Sequence, residues 1–222
     1  NNTNDAPTIV DVADVEVKED CWLNLSLLAE DPDLPYDKDE RLTYSTNFSD
    51  TGISSEKWSF DEGTGDFSFH PDNSVVGAYE VSFSVEDSYG KEDSISVDVE
   101  VMNVNDPPKV GTIEVIINDS DTSTFEKENL TVSFRTQPAD DPDLIFGDHL
   151  TYSWDFDDSD GIGTDGTGLL VNHTYSLEGN YTITLIVTDG EGESSSVSKQ
   201  IHVLAPHVEG NGGNIFDNDS DK

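Results

Sequence analysis

The sequence predicts an all-β protein built of two tandem β-sandwich domains. Three observations lead there: apolar residues alternate with period two in both halves, a block near residue 77 recurs near residue 179, and no segment sustains a helical i, i+3, i+4, i+7 face. "GAYEVSFSVEDSYG" (Gly77 to Gly90) aligns with "GNYTITLIVTDGEG" (Gly179 to Gly192) at an offset of 102. The two "LTYS" segments lie 108 apart, and the pairs Asp31/Asp33 and Asp141/Asp143 lie 110 apart, so landmarks keep their order while loop lengths drift. Each unit is about 100 residues, a common domain size.

In chain order, the pattern places strands near 13–19, 22–29, 42–46, 56–60, 66–70, 77–87 and 93–103. Tyr79, Val81, Phe83 and Val85, then Ile95, Val97, Val99 and Val101, alternate with polar residues as half-buried strands do. The second unit places strands near 111–118, 129–136, 150–156, 168–174, 180–188 and 195–204, with Tyr181, Ile183, Leu185 and Val187 alternating likewise. Six or seven strands per unit at this spacing read as two packed sheets. Two prolines in "NVNDPPK" stiffen the connection and stop the preceding strand. The organisation is a linker at 1–6, a sandwich at 7–104, a linker at 105–108, a sandwich at 109–205 and a flexible acidic tail at 206–222.

Composition narrows the function. The 222 residues carry 48 acidic and 10 basic side chains, a formal charge of −38, which repels phosphate backbones and anionic lipids and makes nucleic acid a poor partner. No apolar run is long enough to span a membrane, so no direct membrane insertion is expected. Clustered carboxylates suit a hard divalent cation, calcium above all, or else form a solubilising surface of the salt-adapted kind. The lone Cys21 makes no internal disulfide and is expected to be buried or half-buried in a strand. Sequons at Asn2, Asn24, Asn47, Asn118, Asn129, Asn172, Asn180 and Asn218 fit an exported glycoprotein. No signal peptide opens the chain, which reads as either an intracellular protein or a piece of a longer one, and a piece of a longer extracellular or cell-surface protein is the expectation.

Particular motifs carry two resemblances. "VEVKED", "AEDPD", "VSFSVED" and "NVNDPP" make residues 4–108 resemble the cadherin-like repeats of cell-surface proteins, in particular the microbial and dystroglycan-type forms. The mid-domain acidic motif of animal cadherins is replaced by "FSFHPDNSVVGAY", so the resemblance implies one or two ions per junction rather than three. "LTYSWDFDD", "VNHTYSLEGNYTITLIVTDGEG" and "SVSKQIHV" make residues 109–205 resemble a PKD domain, an immunoglobulin-like sandwich of exported microbial proteins. Together they imply tandem immunoglobulin-like/cadherin-like sandwiches, with Trp154 filling a core and His173 structural rather than a ligand.

Carried over from the cadherin layout, an upper calcium site comprises Asn4, Asp5, Asp31, Asp33 and Asp87, and a junction site comprises Glu19, Asn103, Asn105, Asp106, Asp141, Asp143 and Asp189. Aspartates that merely end strands and cap turns are the competing explanation. Asp37, Asp39, Asp157, Asp158 and Asp160 read as solvated loop charges, and "DFDDSDG" has Phe156 where a calcium loop needs an oxygen. The tail's Asp217, Asp219 and Asp221 do alternate, as either the start of a calcium loop or a disordered acidic stretch.

No GxSxG, HExxH or cysteine–histidine arrangement is present, and the acidic residues recur in both units, which suits an ion site better than one asymmetric active centre. The expected function is a non-enzymatic, calcium-rigidified adhesion or spacer module whose partners are neighbouring domains of its parent chain, with a surface protein or glycan as further candidates. The alternative is a carbohydrate- or protein-binding accessory module of a secreted enzyme. For that alternative, Trp58, Tyr36 and Tyr89 form no strip in the sequence.

Overall fold

The computed structural model describes residues 3–116 and 130–204. The chain divides into two compact units, Asn1–Asn105 and Asp106–Lys222. Both are all-β, with helix limited to short 3-10 turns among the described residues. No helix among these residues is long and apolar enough to cross a membrane.

The first unit runs β1 (Thr8–Ile9), β2 (Val15–Lys18), β3 (Leu23–Ser26), β4 (Ala29–Glu30), β5 (Thr43–Thr46), β6 (Trp58–Phe60), β7 (Asp66–Phe69), β8 (Gly77–Glu86) and β9 (Glu92–Met102). A four-stranded sheet has the order β2-β9-β8-β5, a three-stranded one the order β3-β7-β6, and β1 pairs with β4. β8 and β9 pair antiparallel along their whole length, from Gly77 opposite Val101 to Glu86 opposite Glu92. That register turns Val81, Phe83, Val85, Val97, Val99 and Val101 inward together, because successive side chains alternate faces. Phe48, Phe67 and Phe69 fill the space facing them, with ring centroids 4.9 and 5.0 Å from Phe48 to the other two.

The turn between β6 and β7 depends on a glycine. Gly65 has φ 73°, and a Cβ there would lie 3.1 Å from Leu27 Cβ and 3.2 Å from the Leu27 carbonyl oxygen. Cys21 departs from its expected place: it is exposed, in the bend joining β2 to β3. Asp20 before it has φ 58°, a left-handed turn residue that breaks the strand pattern and swings the thiol outward.

The second unit runs β10 (Glu114–Ile116), β11 (Leu130–Arg135), β12 (Thr151–Asp155), β13 (Gly166–Thr167), β14 (Leu170–Tyr175), β15 (Gly179–Thr188) and β16 (Ser194–Val203). Its sheets have the orders β10-β11-β14 and β13-β12-β15-β16. Trp154 is fully buried among Phe134, Phe156, Ile183 and Leu185, and its indole N–H donates to the Gly168 carbonyl at 2.8 Å. The His173 ring stacks on Phe156 at 4.4 Å and meets Tyr175 edge-on at 4.6 Å, so it packs rather than ligates. The two-residue strands β1 and β13 were not among the expected ones, since two residues carry no periodicity. The acidic tail and the sequons Asn2, Asn118, Asn129 and Asn218 lie outside the described residues. Asn24, Asn47, Asn172 and Asn180 are exposed.

Candidate metal centre

In the first unit the strand pairing brings three distant loops together. The chain leaving β4 carries Asp31 and Asp33, the loop before β5 carries Glu40, and the turn joining β8 to β9 carries Asp87. All four are buried, Glu40 at 1% exposure being the most enclosed. One carboxylate oxygen each from Asp31, Glu40 and Asp87 can be chosen so that all lie within 4.8 Å of one another.

Backbone hydrogen bonds hold one oxygen of each carboxylate. Asp31 Oδ1 accepts the Asp33 N–H at 2.7 Å, and Glu40 Oε1 accepts the Ser88 N–H at 3.1 Å. Asp87 Oδ1 accepts from the N–H groups of Tyr89 and Lys91 at 2.8 and 2.9 Å, while its Oδ2 accepts the Asn4 amide at 2.8 Å. Asp31 Oδ2, Glu40 Oε2 and Asn4 Oδ1 are buried with no hydrogen-bond partner. Buried oxygens of this kind ordinarily find a donor or a cation.

The second unit has a closely similar arrangement. Asp141 Oδ1 accepts the Asp143 N–H at 2.9 Å, and Asp189 Oδ1 accepts from Glu191, Gly192 and Glu193 at 3.0, 2.6 and 2.8 Å. Asp148 Oδ1 accepts the Gly190 N–H at 2.8 Å. Oxygens of Asp141, Asp148 and Asp189 again lie within 4.8 Å of one another, and Asp141 Oδ2 and Asp148 Oδ2 are buried without a partner. The incoming chain is tied down identically in both units: Asp5 N–H donates to Asp33 Oδ2 at 2.6 Å, and Asp106 N–H to Asp143 Oδ2 at 2.7 Å.

The other expected ligands take these places. The Asp5 side chain is exposed, and the residue is tied to the cluster by its backbone N–H. Of the junction set, Glu19, Asn103 and Asn105 belong to the first unit, and Asp106, Asp141, Asp143 and Asp189 to the second. Glu19 is buried, and its Oε1 accepts the Val104 N–H at 2.8 Å. Its backbone joins Met102 at the far end of β9 from Asp87, about 30 Å away at strand rise. Asn103 is exposed. Asp157 accepts the Ser159 N–H at 3.1 Å, with Asp158 and Asp160 exposed beside it, while Asp155 is satisfied by the N–H groups of Asp157 and Gly163.

Glu40 and Asp148 were missed in the motif reading. The signal was there: each stands four residues before the first Tyr-Ser of its unit, in "ERLTYS" and "DHLTYS", at the same offset of 108 as the LTYS pair. The difference in side-chain length is matched across the site. Glu40 meets Ser88, whereas the shorter Asp148 meets Gly190, where a Cβ would lie 2.6 Å from Asp148 Oδ1.

Burial pushes the Glu40 carboxyl above its ordinary range, and the negative charges of Asp87 and Asp31 add to the effect despite the Ser88 bond. Burial raises Asp141 likewise, with Asp148, Asp143 and Asp189 contributing. For Asp87 burial also pushes upward, but the Asn4 amide and the backbone N–H bonds outweigh it, leaving the group lowered. The first cluster thus sets one carboxyl that resists ionisation, Glu40, beside one that favours it, Asp87. The donors are oxygens only, which selects a hard cation over thiophilic or imidazole-seeking metals.

With this geometry in view, the relatives can be placed. The second unit matches the PKD domain family over residues 116–204. The first matches the bacterial Ig domain over residues 4–100, where its motifs resembled cadherin repeats. Among solved structures, the PKD1 domain of Vibrio anguillarum Epp is 23% identical, covering 46% of this chain and 100% of that one at a TM-score of 0.33. The cadherin 1-4 ectodomain fragment of protocadherin gamma B7 is 18% identical over 89% of this chain and 49% of that one, at 0.42. Human desmocollin-1 ectodomain is 16% identical over 94% and 39%, at 0.41. The chain thus spans about half or less of these two cadherin ectodomains. The two units are therefore Ig-like and PKD-like β-sandwich domains of an extracellular type.

Proposed function

We propose that this chain is a calcium-binding adhesion or spacer segment of a larger extracellular surface protein, with one acidic ion site in its Ig-like unit and one in its PKD-like unit. The observation that carries the reading is the set of buried, unpartnered oxygens Asp31 Oδ2, Glu40 Oε2, Asp141 Oδ2 and Asp148 Oδ2. Like-charged carboxylates this close repel strongly in a low-dielectric setting, and a divalent cation converts the repulsion into attraction. In the Ig-like unit the ligands are Asp31, Glu40 and Asp87 with the Asn4 amide oxygen. In the PKD-like unit they are Asp141, Asp148 and Asp189. Asp33 and Asp143 hold the incoming chain beside each ion, so filling the site fixes the segment that leads into the unit. The role is mechanical rather than catalytic, and the natural partners are neighbouring domains of the same parent chain.

The test is thermal unfolding in EDTA, in millimolar calcium and in magnesium at the same concentration and ionic strength. A ligand at 100 times its dissociation constant stabilises by about 2.7 kcal/mol, a shift of several degrees. A calcium-specific rise, abolished when Asp31 and Asp141 are both replaced by Asn, is the expected result. Equal melting in all three conditions would leave the clusters as solvated acidic surface.

A further inference from the structure

Beside its ion cluster the Ig-like unit carries a groove of about 300 Å³ lined by Asn4, Asp33, Tyr36, Asp37, Glu40 and Tyr89. Two features make it a built site rather than a gap. Tyr36 and Tyr89 are 82% and 59% exposed, large aromatic surfaces held out of the core. The second is that Tyr89 is fixed in place, its hydroxyl donating to Asp37 Oδ2 at 2.6 Å while Asp37 Oδ1 accepts the Asp39 N–H at 2.9 Å. Asp37, expected as a solvated loop charge, therefore positions a ring.

Among its described residues the PKD-like unit has a partial counterpart: at the offset of 110 that relates the aspartate pairs, Tyr36 corresponds to Phe146, which is 46% exposed. Between Leu34 and Glu40 stand Pro35, Tyr36, Asp37, Lys38 and Asp39, whereas between Leu144 and Asp148 stand only Ile145, Phe146 and Gly147. At the same offset Asp37 corresponds to Gly147, and the position matching Tyr89 is Glu191, so the bonded Tyr–Asp pair belongs to the first unit. One repeat has thus acquired a feature that ion binding alone does not need.

We infer that this groove binds a neutral glycan, whose paired hydroxyl oxygens complete the coordination of the calcium held by Asp31, Glu40 and Asp87 while its sugar ring lies against Tyr36 and Tyr89. The inference rests on the calcium reading above. Calcium takes six to eight oxygens, so three carboxylates and the Asn4 amide oxygen leave positions open to oxygens from outside. Phosphate, sulfate or carboxylate ligands meet the carboxylates of Asp33 and Asp37 that line the groove and are repelled. Apolar ligands would strand the same groups without water. A saccharide offers both the oxygen pairs that the ion accepts and an apolar CH face for the rings, and the groove has the size of a small ligand pocket.

The experiment applies the 222-residue chain to an array of neutral glycans ending in mannose, glucose, galactose or fucose, with sialylated and sulfated glycans beside them, in calcium and in EDTA. Calorimetric titration with calcium alone runs in parallel. The expected result is retention on neutral glycans, release by EDTA, and about tenfold weaker binding for Tyr36→Ala with an unchanged calcium titration and melting temperature. Tyr89→Phe, which keeps the ring but loses the bond to Asp37, should fall between the two. Calcium heat without glycan retention overturns the inference and leaves the ion site standing. Retention only on charged glycans, or retention that survives EDTA, also overturns it. Absence of calcium heat removes the ion reading and this one with it.

Discussion

Gly190 donates its backbone N–H to Asp148 Oδ1 at 2.8 Å, the bond that Ser88 gives to Glu40 at 3.1 Å in the other unit. Side-chain length and backbone approach vary together, so the pairs Glu–Ser and Asp–Gly are alternative solutions of one packing problem. Gly190→Ser alone should lower the stability of the PKD-like unit by about 1–3 kcal/mol through overpacking, since its Cβ meets Asp148 and His149 at 2.6 Å. The double variant Asp148→Glu, Gly190→Ser should recover part of that loss. Urea unfolding of the four proteins of the cycle measures the coupling; strict additivity would refute the pairing.

Glu40→Gln should reverse sign with the metal. In EDTA it removes one of three crowded carboxylates and raises the melting temperature of the Ig-like unit, while in calcium it deletes a ligand and lowers it relative to wild type. The expected loss in calcium is several degrees, corresponding to at least about tenfold weaker binding. A purely structural role for Glu40 would move both melting temperatures in the same direction.

How far the sequence could be read follows from range. β8 and β9 were legible because ten or eleven alternating residues each, such as Tyr79 to Val85, leave one register that buries a single face. Asp31, Asp33, Asp87, Asp141, Asp143 and Asp189 were legible as recurring motifs. Glu40 was overlooked because it sits among Asp37, Lys38 and Asp39, and in the sequence only its offset of 108 from Asp148 separates it from them. Cys21 was misplaced because its apolar neighbours Trp22 and Leu23 suggested a strand, whereas the left-handed Asp20 makes a bend. The groove between Tyr36 and Tyr89 joins residues 53 positions apart, a proximity that no local pattern encodes.

The exposed bend at Cys21 has a direct readout. The thiol should react fully with a chromogenic disulfide reagent in native buffer, without denaturant, at a rate close to that of a small free thiol. Protection until unfolding would place Cys21 in the strand that its neighbours suggest.

Trp154 anchors the second core with both volume and a hydrogen bond. Trp154→Ala should cost about 3–5 kcal/mol and Trp154→Phe, which keeps a ring but leaves the Gly168 carbonyl unpaired, about 1–3 kcal/mol. Chemical denaturation followed by the fluorescence of the remaining tryptophans, Trp22 and Trp58, reports separately on the Ig-like unit. That signal should hardly change if the two units unfold independently.

The pH dependence in the absence of calcium follows from the raised carboxyls. Glu40 and Asp141 bind their protons more tightly folded than unfolded, so their contribution is fully present below the ordinary carboxyl range, near 4.5 for Glu40 and 3.8 for Asp141. It is lost as pH rises through the higher folded values. Asp87 and Asp37 are lowered, so their contribution is present above the ordinary range and lost as pH falls through their folded values. Replacing Glu40 and Asp141 by their amides removes only the first effect. In EDTA the double variant should therefore gain on wild type as pH rises from about 4 to about 7, read from urea midpoints at each pH. In calcium the trend inverts, because protons compete with the ion for the same oxygens and wild-type stabilisation by calcium fades on acidification. Parallel pH profiles for wild type and variant in EDTA would show that these two carboxyls do not titrate in a shared, buried cluster.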